Sequence, residues 1–380
     1  MRIAGGLALA ILSGATQALD LTVGAGAVQN CVDAPTGLNF NASAVAYLEP
    51  APVVTVNDYG GGHYSPNSGN DVGIGVGYSE FTGKAAGFCI GALYRAEYRA
   101  EASKDLLDGL VADHFGHPFD AGRTYRLSLT EESFKAYGLR VRRIANFDLT
   151  NEWVLKAGIG VSLLKATEGQ NQSLSGAVTA SSSTYAVGTA TWLKSASNLN
   201  LANFNPFVAR GSPSGDGFSS DVELLAQSRG GLSIDLVVMD ALGRIYWRDV
   251  PRSLRTFNNA TITYNSNFDR DAFVNGVDSR VKYVQNIAQK YHVALSAPVP
   301  VLPRLSVVLE DDFIQGLHFP SLGVRSGTEQ RLAEVNFDVR TKALGLGGRW
   351  DAIRVLVTAN DFRLDRASVL GISLQASHTW

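Results

Sequence analysis

The chain has 380 residues and lacks any run of about 18 apolar side chains beyond its first eighteen positions, which excludes a spanning helix. It lacks a basic excess: 33 Lys and Arg stand against 35 Asp and Glu, so nothing points to nucleic acid. Charge of either sign is sparse, at 18% of residues, although 45% are hydrophobic. The six histidines are spread along the chain, which does not fit the rim of acids and histidines that a barrel protease requires. Cysteine is almost absent, with Cys31 and Cys89 alone.

What is present begins with "MRIAGGLALAILSGATQA". Arg2 supplies a positive start, residues 4–12 an apolar stretch, and Thr16-Gln17-Ala18 a small-residue cleavage site. Residues 1–18 therefore read as a secretory signal peptide cut after Ala18. No cysteine follows closely, which argues against a lipoprotein anchor. Beyond an inner membrane Cys31 and Cys89 can oxidise, and a bond between them would tie an N-terminal segment to the inner wall. Two unpaired thiols are the alternative, since pairing is not readable from spacing.

The rest of the chain alternates. In "GFCIGALYRAEYRAEAS", Phe88, Ile90, Ala92, Tyr94, Ala96, Tyr98 and Ala100 take one parity, and Arg95, Glu97, Arg99 and Glu101 the other. Period two is a β-strand. This one is longer than the usual five or six residues and could cross a bilayer when tilted. "NEWVLKAGIGVSLLKA" repeats the pattern, with Trp153, Leu155, Ile159, Val161 and Leu163 opposite Lys156, Gly158, Gly160 and Ser162. In "RVKYVQNIAQKYHVALSA", Val281, Tyr283, Ile287, Tyr291, Val293 and Leu295 oppose Arg280, Lys282, Asn286, Lys290 and His292. In "LAEVNFDVR", Val335, Phe337 and Val339 oppose Glu334, Asn336, Asp338 and Arg340.

These strands meet over short turns such as "FDLTNEW", as antiparallel neighbours do. Roughly 12 to 16 such segments are countable, with boundaries uncertain by a few residues. Lipid forbids free sheet edges, so the first and last strands must pair. The expected fold is all-β: a transmembrane, antiparallel, up-and-down β-barrel of about 14 strands. Residues 19–71 form an N-terminal segment, with a plug in the lumen and the first strand or strands, and residues 72–380 the barrel. The chain ends "SVLGISLQASHTW", where Leu370, Ile372, Leu374, Ala376 and Trp380 share parity. A final strand ending on an aromatic resembles the assembly signal of Gram-negative outer-membrane barrels. The expected partners are therefore outer-membrane lipid and, through Trp380, the barrel assembly machinery, with both termini periplasmic.

Some stretches depart from alternation. "EASKDLLDGLVADHFG" spaces Leu106, Leu107, Leu110, Val111 and Phe115 as a short helix would. Residues 51–71 and 198–217 read as loops. In "SIDLVVMDALGRIYWRDV", Asp240 falls on the apolar parity and Ile245 and Trp247 resume it shifted. A bulge or kink between Asp240 and Gly243 would explain this. The plainer reading is that the strand leaves the membrane at Asp240, with Tyr246 and Trp247 as girdle aromatics.

The run from "GDGFSSDVELL" through "DLVVMDALGRIYW", with "LKAGIGVSLLKATEG", resembles the FadL-type outer-membrane barrels. The resemblance implies about fourteen strands, an N-terminal segment plugging the lumen, and carriage of hydrophobic small molecules with exit through a kinked strand. Other members of that superfamily serve conjugation or secretion as accessory factors. "LDLTVGAGAVQNC" stands where the fatty-acid transporters open with Asn-Pro-Ala, so a fatty-acid cargo is not implied.

Chemistry-bearing constellations are few. Asp113, His114 and His117 in "DHFGH", and Glu310, Asp311 and Asp312 in "LEDDF", read as solvated side chains rather than metal ligands. No catalytic residue, metal or cofactor is assigned. The wet-parity residues Arg95, Glu97, Arg99, Glu101, Arg140, Arg142, Lys156, Lys282, Lys290, Glu334, Asp338 and Arg340 are expected to line the lumen, either as a path or as mutually paired filling. Both signs are nearly balanced among them, so strong charge selectivity is not expected. The expected function is passive passage of a small hydrophobic molecule. A non-conducting platform for other envelope proteins is the alternative, and an outer-membrane hydrolase the third.

Overall fold

The computed structural model describes residues 31–51, 53, 64–115, 120–180, 185–199, 212–264, 270–271, 274–328, 330–363 and 365–379. Residues 1–30, expected from the sequence to hold a signal peptide, positions 52, 54–63 and 200–211, and Trp380 are among those outside the described residues.

Strand β1 spans Gly37–Leu48, β2 Asn70–Ala85 and β3 Phe88–Ser103; helix α1 follows at Lys104–Phe115. The longest strands come next: β4 at Thr124–Asp148, β5 at Trp153–Ala180, β6 at Tyr185–Ala196, β7 at Ser214–Ser228 and β8 at Ser233–Tyr264. A two-residue bridge, β9 (Arg270–Asp271), precedes β10 (Val274–Asn286), β11 (Lys290–Val299), β12 (Leu302–Ile314) and β13 (Leu317–Gly327). Short strands finish the chain: β14 (Arg331–Asp338), β15 (Leu344–Trp350), β16 (Ile353–Ala359) and β17 (Val369–Thr379).

Every pairing between these strands is antiparallel, and β1 pairs both β2 and β17, from Gly37 opposite Thr379 to Tyr47 opposite Val369. The sheet is thus closed. β10 and β11 are two halves of one wall strand, since both pair β8. β6 is inserted above β7, between the upper parts of β5 and β8. Counted this way, the described residues form a closed antiparallel barrel of 14 strands. Closure leaves no backbone edge exposed, as hydrocarbon requires.

The two ends differ. At the end that holds residue 379, the turns are short: Ala86–Gly87, 149–152, 229–232, 300–301, 328–330 and 351–352. Ala86 and Gly87 both have positive φ (48° and 75°), the two-residue hairpin conformation that glycine favours. The other end carries α1 and the longer connections. Stretch 198–217, read as a loop, gives up its last four residues to β7, and Asn70 and Asp71 likewise open β2.

The outward face is apolar and open to the surroundings on nearly every strand. Ile90, Leu139, Val141, Leu163, Leu322, Val335, Val357 and Ile372 are all exposed, Leu163 at 68%. Their neighbours of opposite parity, such as Arg140, Ser162 and Ser373, are buried inside. The shortest of the 14 wall strands, β15 and β16, have 7 residues each. At about 3.3 Å per residue they run about 23 Å along their own axes, and strand tilt leaves their rise short of the roughly 25 Å apolar band of a membrane barrel. On the opposite side β4, β5 and β8, with 25, 28 and 32 residues, rise well beyond it.

The wall is broken in one region. On β8, Leu242 faces Ser220 of β7, but four residues earlier Val238 already faces Val222. On the other side Arg244 pairs Asn286 and Met239 pairs Lys290. Residues 240–243 and 287–289 therefore bulge together, and Asp240 takes φ +58°. The Ile287 N–H donates to the Gly243 carbonyl at 2.9 Å. A Cβ on Gly243 would lie 2.9 Å from the Ile287 Cβ, so glycine permits this approach. This is the kink that the parity shift allows, and β8 stays paired on both sides past it.

The break changes which side chains point inward, and three expectations fail with it. Trp247 is not a girdle aromatic: it is 2% exposed, inside the barrel among Phe134, Ala166 and Ile245. Tyr283 stacks against Trp247, and Gln285 accepts the indole N–H at 2.8 Å, so the odd residues of β10 face inward. Lys282, assigned to the lumen, is exposed on the opposite face. The 287–289 break reverses parity between β10 and β11, so one alternation cannot describe both. Below the break Val293 and Leu295 are exposed and Lys290 is buried, as expected.

Candidate functional site

The lumen is divided lengthwise. Its β2–β8 side is filled by ions that are almost wholly buried. Arg95 on β3 reaches Asp240 with both terminal nitrogens, at 2.8 and 2.6 Å. Lys290 on β11 joins Asp240 at 2.9 Å and Glu97 at 2.8 Å, and Arg95 also pairs with Glu97. The Ser219 hydroxyl donates to Asp240 at 2.6 Å, and the Asp240 N–H donates to Asp221 at 3.2 Å. Arg140 lies 3.1 Å from Asp221 and donates to the Tyr78 hydroxyl, which in turn donates to Glu80. Arg142 bridges Glu80 and Glu223, each at 3.0 Å.

That chain of contacts runs from the bulge of β8 to the N-terminal segment. Glu223 accepts the Val32 N–H at 3.0 Å. Lys84 donates to the carbonyls of Cys31, Val32 and Ala34 at 2.9, 3.1 and 2.5 Å. Lys156 lies 3.6 Å from Asp33. Cys31 is bonded to Cys89 on β3, so residues 31–36 are fastened inside the barrel at the short-turn end. The two cysteines, Val32, Ile144 and Leu225 make a small apolar cluster around this attachment. Buried charges are tolerated only when paired, and breaking one pair is more costly than never having built it. This half is wall and filling, with five carboxylates against four cations.

The β11–β17 side is open. A cavity of about 580 Å³ is lined from Asp338 and Thr341 at the long-loop end to Thr328, Ala352 and Ser377 at the short-turn end. Asp33, Ala34 and Pro35 of the fastened segment form part of its wall. Glu334 is gripped by Arg354 at 2.8 and 2.5 Å and by Arg325 at 3.2 Å; Arg325 also pairs Glu310 at 2.6 Å. His292 Nδ1 lies 2.8 Å from Asp312. At the long-loop end Tyr47 and Phe319 meet edge to face, 5.6 Å apart, over an apolar cluster with Ile74, Val76 and Ile314.

The residues picked out from alternation separate along this division. Arg95, Glu97, Arg140, Arg142 and Lys290 belong to the sealed half; Glu334 and Asp338 line the cavity. Arg99 reaches the Gln315 carbonyl across the long-loop end, and Glu101 accepts from Asn70 at the same rim. Arg340 sits at the mouth, exposed, and pairs with Glu49 at 3.2 Å. Alternation alone did not single out Glu80, Asp221, Glu223, Asp235 or Arg354, and His292, though on the wet parity, was not counted with the lumen-lining residues. The parity of "SSDVELL" carries the signal for two of them, since Ser219, Asp221 and Glu223 are two apart. Glu310 and Asp312 point into the cavity, whereas Asp311, between them, bonds His318 on the other face. Strand geometry thus splits the acidic trio between two faces. The side chains of Asp113, His114 and His117 lie outside the described residues.

No family model and no curated protein matches the chain. Among solved structures it is similar to a TodX deltaS2S3 mutant monoaromatic hydrocarbon channel, with 10% identity, 91% of this chain and 92% of that one covered, and a TM-score of 0.49. It is also similar to the P. putida toluene transporter TodX (9% identity, 92% of both chains, TM-score 0.43) and to the P pilus usher translocation pore (8% identity, 90% and 99%, TM-score 0.20). At such identities and scores these likenesses carry no inference about cargo. The strands themselves establish the class: a closed 14-strand barrel, apolar outside and ionic within, of the kind that spans a membrane.

Proposed function

We propose that the protein is an integral outer-membrane barrel, with its termini in the periplasm, that gives passive passage to a small molecule through the open half of its lumen. The observation that carries this is the cavity of about 580 Å³ lined by residues of both barrel ends, beside a half that is sealed by paired ions. Short turns at the end that holds Gly37 and Thr379, and long connections at the other, support that orientation. The wall mixes polar groups with Val45, Ile314, Phe319 and Leu356, so the cargo would carry apolar surface without being purely hydrocarbon. No covalent step is needed: a gradient drives the solute, and the protein supplies a path.

Liposome swelling tests this. Proteoliposomes of the folded protein should swell faster than protein-free vesicles in isotonic solutions of small solutes, with a cut-off set by the narrow half-lumen. Swelling no faster than that of protein-free vesicles across a series of small polar and amphiphilic solutes would leave the platform reading. That second reading is favoured by the fastened segment 31–36 and the ion-filled half, which stiffen the barrel.

A further inference from the structure

Resting on the passage just proposed, we infer that the open half of the lumen selects for cations, and that its cargo class is small molecules bearing a positive group on an apolar body. The lining of the cavity contains six carboxylates and only three guanidiniums. Those guanidiniums are engaged. Arg325 is shared between Glu310 and Glu334, Arg354 grips Glu334, and Arg349 donates to the Asp351 carbonyl at 3.2 Å. Two of the carboxylates have partners other than Arg or Lys: Asp312 meets His292, and Asp338 accepts from the Thr341 N–H and hydroxyl at 2.6 and 2.7 Å. Whether His292 is neutral or protonated, the acidic groups of the wall outnumber the basic ones.

Nothing nearby reverses the sign. The Lys84 ammonium is directed at three backbone carbonyls, and Lys156 answers Asp33. In the sealed half the buried charges nearly cancel one another, so their field at the cavity is weak. A low-dielectric wall around a narrow wet path focuses the remaining negative potential. No resident ion is implied; the imbalance biases what passes. The mouth shows what it accommodates. The Arg340 guanidinium lies 5.9 Å from the ring centroids of both Tyr47 and Phe319, its charge answered by Glu49. Phe319 continues into the cavity wall beside Val45 and Ile314. Aromatic faces next to a surplus of carboxylates suit a cation with an apolar body.

The test compares two probes that are permanently charged and similar in size, benzyltrimethylammonium and benzenesulfonate, in proteoliposomes of the full chain. Benzyltrimethylammonium should enter several-fold faster, and the doubly neutralised variant Asp312→Asn with Asp338→Asn should bring the ratio toward one. Equal rates, or faster benzenesulfonate, overturn the inference while leaving passage intact. An unchanged ratio in the variant overturns the assignment to these carboxylates. Entry of neither probe overturns the passage itself. Should the variant fail to insert, the wild-type reversal potential in a KCl gradient decides: a potassium-selective sign supports the inference, and a zero or chloride-selective one defeats it.

Discussion

The Arg95 guanidinium, on β3, holds both carboxylate oxygens of Asp240, on the bulge of β8, across the interior of the barrel at 2.8 and 2.6 Å. The two residues are 145 positions apart, and neither is more than 1% exposed. Asp240 adopts a positive φ there and also receives Lys290 and Ser219. The bulge and the ion cluster are therefore one feature. The kink brings the carboxylate inward, and the cations keep it there.

Asp240→Ala should destabilise the barrel by about 3–5 kcal/mol, because Arg95 and Lys290 would stay buried with Glu97 as their remaining acid. Replacing Arg95, Asp240 and Lys290 together by apolar residues should cost less than the sum of the three single changes. Urea unfolding in detergent micelles, followed by tryptophan fluorescence, measures both. A single change that leaves the midpoint in place contradicts the pairing.

Reducing the Cys31–Cys89 bond should free the segment that forms part of the cavity wall. The bond closes a separation of 58 residues, and chain-entropy arguments put its effect on unfolding at about 4 kcal/mol. The variant Cys31→Ser with Cys89→Ser is expected to unfold at lower urea and to swell liposomes faster than the oxidised protein. Unaltered swelling would mean that Lys84 and Glu223 suffice to hold residues 31–36.

Leu163→Arg distinguishes lipid from water on the outer face. Leu163 is 68% exposed, and on a protein surface in water such a change alters stability by about 0.5 kcal/mol or less. At the midplane of a bilayer it should cost about 2–4 kcal/mol. Refolding into phospholipid bilayers, with denaturant titration, reads the difference.

Helix α1 at the long-loop end should loosen in acid. Burial alone would raise the Asp105 carboxyl, but the Arg126 N–H and the Arg123 guanidinium outweigh it and hold Asp105 below its usual value. A depressed folded-state value stabilises above the unfolded Asp value, about 4, and that contribution is lost as pH falls through the folded one. Amide protection in residues 104–111 should accordingly drop below about pH 4 in wild type. In Asp105→Asn that pH dependence should be weaker, with lower protection at neutral pH.

Much of the barrel could be read locally. The "GFCIGALYRAEYRAEAS" stretch did place Arg95 and Glu97 on the inner face, because a pleated strand admits only two directions for a side chain. The same rule failed at Lys282. Strand parity holds only while pairing is unbroken, and the 287–289 break could be recognised only from its partner strand. Trp247 failed for the matching reason on β8. The expectation of little charge selectivity counted every wet-face charge together; the fold separates a half of mutually paired ions from a cavity lined by six carboxylates and three guanidiniums, and the paired-probe experiment decides between the two readings.

The amino-acid order by itself determined the period-two alternation, the apolar belt and hence a closed sheet, because backbone groups in hydrocarbon have no other way to be satisfied. Only the tertiary structure decided which inward charges meet which. Ion pairs such as Arg95 with Asp240, and the attachment of Cys31 to Cys89, join segments that are distant in the chain. Their energies depend on three-dimensional proximity and shared burial, and spacing along the chain encodes neither.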